Sequence, residues 1–194
     1  FGFNVGSELA ADGVASLVLV NTIAATGAAV LGWLLIESLL SGKATMLGAA
    51  TGAVAGLVAI TPACGSLGPI GSIILGFVAS IICFWACTSL KKAFGYDDTL
   101  DVFGVHGVAG IVGAVGTGIL MSSSFGGVGF GEGVTMGAQT TVQILSVLIT
   151  IVWSAIVSLI LYKLVDAIIG LRPSEEDERQ GLDATSHGES SYNL

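Results

Sequence analysis

Between Lys43 and Lys91 the chain reads ATMLGAATGAVAGLVAITPACGSLGPIGSIILGFVASIICFWACTSL, 47 residues (44–90) without a charge. A membrane-spanning helix needs ~20 predominantly apolar residues, so this stretch is too long for one span and must turn back within itself. The turn falls at TPACGSLGP, residues 61–69, where two prolines and two glycines interrupt helical continuity. Working outward, Asp12 and Glu37 enclose 24 uncharged residues, Asp101 and Glu132 enclose 30, and Glu132 and Lys163 enclose another 30. Five spans follow, near 13–37, 45–60, 70–90, 102–121 and 137–165, preceded by a short segment, 1–12, and followed by a tail, 172–194. The spans are apolar all round, so periodicity does not separate lipid-facing from bundle-facing surfaces.

Composition agrees with this division. Of the 194 residues 53% are hydrophobic and 10% charged, whereas a soluble domain of this size carries about a quarter charged residues. A soluble globular enzyme is thereby excluded, and the chain belongs in a bilayer. The three cysteines, Cys64, Cys83 and Cys87, are odd in number and set in apolar runs, so neither a disulfide framework nor a metal site is implied. Six of the fourteen acids, which set the net charge of -8, lie beyond residue 172. No basic cluster suits nucleic acid, and no nucleophile with its base, carboxylate pair or phosphate loop suggests an enzyme or a cofactor. The chain begins at Phe1 without a basic leader, as expected of a piece of a longer protein.

The basic residues orient the spans. Lys43 lies between the first and second, Lys91 and Lys92 between the third and fourth, and Lys163, Arg172 and Arg179 at the exit of the fifth. Residues 1–12, 61–69 and 122–136 contain no Lys or Arg. The positive-inside rule therefore puts Phe1 outside and the C-terminus in the cytoplasm. Gly48, Gly52 and Gly56 recur at steps of four and Gly104, Gly107, Gly110, Gly113 and Gly116 at steps of three, a pattern that allows close helix packing with or without a pore.

His106 is an ionisable group inside a glycine-rich span, costly enough there to point to a pore or proton-relay role. Asp98 and Asp101 have capping-box spacing, with Asp98 as N-cap and Asp101 a buried carboxylate at the third helical position. Phe1, Phe3, Asn4 and Ser7 precede the first span on the side without lysines. They suit either an interfacial aromatic belt or a mouth whose rings attract a cation, with Ser7 and Thr61 supplying hydroxyls. In the tail, Ser174 and Asp177 also have capping-box spacing, and the glycines and leucine after EEDER, residues 175–179, fit a folded strap better than a solvated brush.

With FGFNVGS (1–7), the TPACG turn, DDTLDVFGVHGVAGIVG (97–113), GGVGFGEGVTMG (126–137) and GLRPSEEDERQGLDATSHGE (170–189), the chain resembles the C-terminal half of a bacterial ammonium transporter of the Amt/Mep/Rh family, along its whole length. The resemblance implies an all-α polytopic fold of eleven helices, built as two inverted five-helix repeats plus a long last helix. It also implies a homotrimer in the cell inner membrane with a pore in each subunit. This chain would hold the end of the sixth helix and helices seven to eleven, its partner being the first five. By the same resemblance Phe3 is one of two stacked phenylalanines gating the mouth, Ser7 the hydroxyl of the external ammonium site, Thr61 a mouth-lining threonine and His106 one of a pair of pore histidines. The tail, with His187, would pack across the cytoplasmic face, where a trimeric PII-type signalling protein docks. Two rival expectations are an ammonium-sensing regulatory membrane module and half of an unrelated transporter.

Overall fold

A computed structural model describes residues 1–190, so the last four residues of the tail lie outside the described residues. Among the described residues every regular element is helical. The chain forms two compact units, Phe1–Leu148 and a second that begins at Ile149. A one-turn helix α1 (Gly2–Gly6) leads into α2 (Gly13–Ser41), α3 (Met46–Ile60), α4 (Pro69–Phe94), α5 (Phe103–Leu120) and α6 (Met136–Ile169), and the tail carries α7 (Glu175–Gln180). Four of these, α2, α4, α5 and α6, are long and apolar enough to cross a membrane, while α3, with 15 residues, is about 22 Å long.

Local chemistry sets the boundaries. The Asp12 carboxylate accepts from the amides of Val14 (2.9 Å) and Ala15 (3.0 Å) and starts α2. That helix continues past Glu37 to Ser41 because Glu37 accepts from the Thr45 amide and hydroxyl instead of ending the span, and Gly42, with φ of +80°, makes the stop. Thr45 in turn caps α3 through the Gly48 amide at 2.9 Å. Pro69 opens α4 at its first position, where a missing N–H costs nothing. The helix then runs beyond the expected residue 90 to Phe94, so Lys91 and Lys92 sit on its last turn. At 34 residues, about 51 Å, α6 exceeds the ~30 Å hydrocarbon core, and none of its residues is buried.

Small residues let α2 lie between α3 and α4. A Cβ at Gly56 would meet the Ala29 methyl, and one at Gly76 the Ala25 carbonyl; likewise Gly113 of α5 lies on the Ala59 carbonyl of α3. One apolar cluster, including Val18, Ile60, Leu67, Leu75 and Leu120, fills the end at the 61–69 turn. A second fills the other end, where Trp33 meets Phe84 edge-on at 5.4 Å.

The three segments without Lys or Arg meet at one end of the first unit. Thr61 hydrogen-bonds Asn4 (3.1 Å), and the Val128 amide donates to Ser66 O (3.0 Å). Fully buried Asn21 holds the turn itself, its Nδ2 donating to the carbonyls of Cys64 (2.8 Å) and Leu67 (2.6 Å). Asn21→Ala leaves both buried carbonyls unpaired and is expected to cost about 2 kcal/mol. A thermal unfolding midpoint equal to that of the unaltered protein in detergent would contradict this role.

In the second unit Ser174 and Asp177 form the expected box, the Ser174 hydroxyl accepting from the Asp177 amide at 3.1 Å. Arg179 pairs with Glu175 and Arg172 with Glu178, each at 3.3 Å. A π turn, Asp183–His187, follows.

Candidate functional site

Asn4 organises the residues around α1 at the end of the first unit that carries the 61–69 turn. Its side chain is 5% exposed, with Nδ2 donating to Thr22 Oγ1 at 3.3 Å and Oδ1 3.1 Å from the Thr61 hydroxyl. This fastens α1 to both α2 and the end of α3, and leaves Phe1 and Phe3 52% and 77% exposed. Phe1, Phe3, Asn4, Leu57, Val58 and Thr61 together line an open cleft of about 140 Å³. Ser7, one turn further on, is not in its walls. Its hydroxyl donates to Phe3 O at 2.7 Å, so the proton is committed to the backbone and the exposed oxygen offers lone pairs, which suits a ligand that donates hydrogen bonds.

His106 lies at the other end of α5, roughly 20 Å of helix before Leu120, and so is not brought beside Phe3, Ser7 or Thr61. It is exposed, and among the described residues its imidazole has no hydrogen bond or ion pair. The turn that carries it, Phe103–Gly107, is a π turn.

The acidic residues before it occupy a different register from the expected capping box. Asp98 does cap, its two oxygens accepting from the amides of Val102 (2.8 Å) and Phe103 (2.9 Å). Asp101 stands before the helix and not at its third position, because a turn closed by Asp101 N to Asp98 O intervenes and Asp101 takes a left-handed φ of +55°. It is not buried either: its side chain is 35% exposed and pairs with Lys91 Nζ at 2.9 Å. Tyr96 meets the Phe103 ring edge-on at 5.7 Å. Burial, and then the charge of Asp98, push the Tyr96 phenol above its ordinary value, so it stays protonated. In the 61–69 turn burial likewise pushes the Cys64 thiol up, so it stays protonated.

Asn21 and Thr22 are the polar residues the sequence did not bring forward. The available signal was two adjacent hydrogen-bonding side chains in the 24-residue uncharged run.

The profile of the Ammonium Transporter Family matches residues 1–192. The chain belongs to this family. Within it, the chain is 46% identical to an ammonium transporter of Bacillus subtilis, aligned over 99% of the chain and 48% of that protein. It is 47% identical to one from Aquifex aeolicus over 100% of the chain and 45% of that protein. The chain therefore spans about half the length of these relatives. Among solved structures, a sensor Amt protein superposes with a TM-score of 0.86 at 26% identity, covering 95% of the chain and 45% of its own. Mep2 of Saccharomyces cerevisiae gives 0.74 at 30% identity, covering 86% and 41%. Family membership and the apolar helices together make the chain part of a multi-pass membrane protein with the Amt/Mep fold.

Proposed function

We propose that this chain is the C-terminal half of an ammonium transporter of the cell inner membrane, with Phe1 outside and the tail in the cytoplasm. Phe3 and Ser7 form part of the external recruitment site, Thr61 lines the mouth and His106 lines the pore. The first five helices of the complete protein supply the rest, three subunits assemble, and the tail contacts a neighbouring subunit and a PII-type regulator. The observation that supports this best is the exposed Ser7 hydroxyl, bonded to the Phe3 carbonyl one turn along from the exposed Phe3 side chain.

The chemistry is consistent with ammonium as the cargo. Ammonium and potassium are close in size, so a mouth tells them apart by what ammonium donates. Aromatic faces attract either cation, but a fixed hydroxyl acceptor rewards a directed N–H. Past the mouth, a narrow apolar path makes a bare charge expensive, and an imidazole there offers one donor and one acceptor to the neutral molecule or to its proton.

Ser7→Ala in the complete transporter, reconstituted in liposomes, is the test. Removing one acceptor to a charged donor, worth about 1.5 kcal/mol, should raise the half-saturating ammonium concentration roughly tenfold with little change in maximal flux. Equal loss at all concentrations, or none at low ammonium, would refute the recruitment role.

A further inference from the structure

Two departures from the regular α-helix face each other at the basic end of the first unit. The α4 helix opens into a π turn at Ala86–Leu90, and α5 begins with one at Phe103–Gly107. Isolated π turns accommodate one extra residue and are frequent where a helix serves a function. These two fit together closely: a Cβ on Gly104 would stand 2.5 Å from Cys87 Sγ, so a side chain there would force the turns apart.

The second turn is anchored from its N-terminal side. Val105 N donates to Asp101 O at 2.9 Å, four residues back, whereas Val108 N donates to Phe103 O, five residues back. The extra residue is absorbed between these two bonds, and His106 lies in that interval. One residue corresponds to ~100° of helix rotation. The position of the slip therefore sets the direction of the imidazole relative to the rest of α5. The first bond starts from Asp101, whose backbone is left-handed, with φ of +55°.

Among the described residues one cation, Lys91, pairs with Asp101, whose amide also donates to Asp98 O. Lys91 Nζ donates to the Asp101 carboxylate at 2.9 Å and also to the carbonyl of Asp98, bracing both ends of the turn that precedes α5. Lys91 itself directly follows the π turn of α4. We propose that Lys91 and Asp101 are positioning residues for His106: their ion pair joins the end of one π turn to the start of the other and fixes the backbone register that presents the imidazole. As stabilisation, a partly exposed ion pair contributes little; here it selects between a π turn and a continuous α-helix over the same residues. The inference rests on the pore role proposed above for His106.

The test compares Lys91→Met, Lys91→Arg and Asp101→Asn in the complete transporter, with His106→Ala as reference. Asparagine tolerates the left-handed backbone, so Asp101→Asn removes the charge without forcing a refolded turn. Maximal ammonium flux is expected to fall about tenfold in Lys91→Met and Asp101→Asn, as for misplacement of a working group. The half-saturating concentration should stay within about twofold, because recruitment occurs at the other end, and Lys91→Arg should retain flux. In a cryo-electron microscopy structure of Lys91→Met, which loses both Lys91 bonds, the Val108 amide should move from Phe103 O to Gly104 O. Unchanged maximal flux in both charge-removing variants, an equal loss in Lys91→Arg, or an unaltered Val108 bond would each overturn the proposal. If His106→Ala alters neither flux nor potassium exclusion, the pore role falls, and the Val108 bond still decides whether the pair sets the register.

Discussion

Gly76→Val is expected to stop α2 and α4 from coming together, with a loss of folded protein larger than for any surface substitution in the chain. A Cβ at position 76 would stand 2.2 Å from the Ala25 carbonyl oxygen, 2.8 Å from its carbon and 2.9 Å from its Cα. All three are backbone atoms of the facing helix, so no side chain can turn aside to make room. Overpacking a close helix contact costs about 1–3 kcal/mol when neighbours relax, and a backbone wall puts this case at about 3 kcal/mol or more. That lowers the folded-to-unfolded ratio by a factor of roughly 100. The measurement is the yield of monodisperse protein after detergent extraction, with thermal unfolding of whatever survives. Gly27→Ala on α2 is the matched control, since a Cβ there meets nothing within 4 Å and the change removes a helical glycine that costs about 1 kcal/mol. Equal behaviour of the two variants would contradict the packing account.

Glycine spacing was legible in the sequence, but not what each glycine touches. The steps of four at Gly48, Gly52 and Gly56 do mark one face: these three meet Glu37, Trp33 and Ala29, all on α2. The steps of three on α5 mark no single partner. Gly104 lies on Cys87, Gly113 on Ala59, Gly116 on Leu75, and Gly110 on nothing within 4 Å. A three-residue step drifts around a helix of 3.6 residues per turn, so successive glycines reach different neighbours.

The ends of the helices show the same division between local and distant chemistry. The turn at 61–69 was readable because proline and glycine act locally, and so was the Ser174–Asp177 box. The register of Asp98 and Asp101 was not, because spacing alone cannot reveal a left-handed residue held by a lysine ten positions away. Nor could the role of Asn21 be read, since its acceptors lie 43 and 46 residues further along the chain. In an apolar run a buried amide has no periodic signature; only the carbonyls it satisfies explain its presence.

On the pore role proposed for it, His106→Ala is expected to leave the protein folded and to change what the complete transporter conducts. The imidazole is exposed in this chain and, among the described residues, bonds to nothing, so its removal leaves no cavity and no orphaned partner here. Alanine is also a better helix former than histidine. Folding should therefore be unaffected, with an unfolding midpoint equal to or slightly above that of the unaltered protein. The functional effect follows from what an imidazole does in an apolar passage. It can accept from one N–H and donate to a lone pair, whereas potassium offers neither. Removing it takes from the ammonium-derived species a hydrogen bond worth about 1–2 kcal/mol and takes nothing from potassium. Ammonium flux, or its preference over potassium, should accordingly fall roughly five- to thirtyfold. Parallel ammonium and potassium flux measurements on the reconstituted transporter read this directly, and a variant that conducts and discriminates as before would remove His106 from the pore.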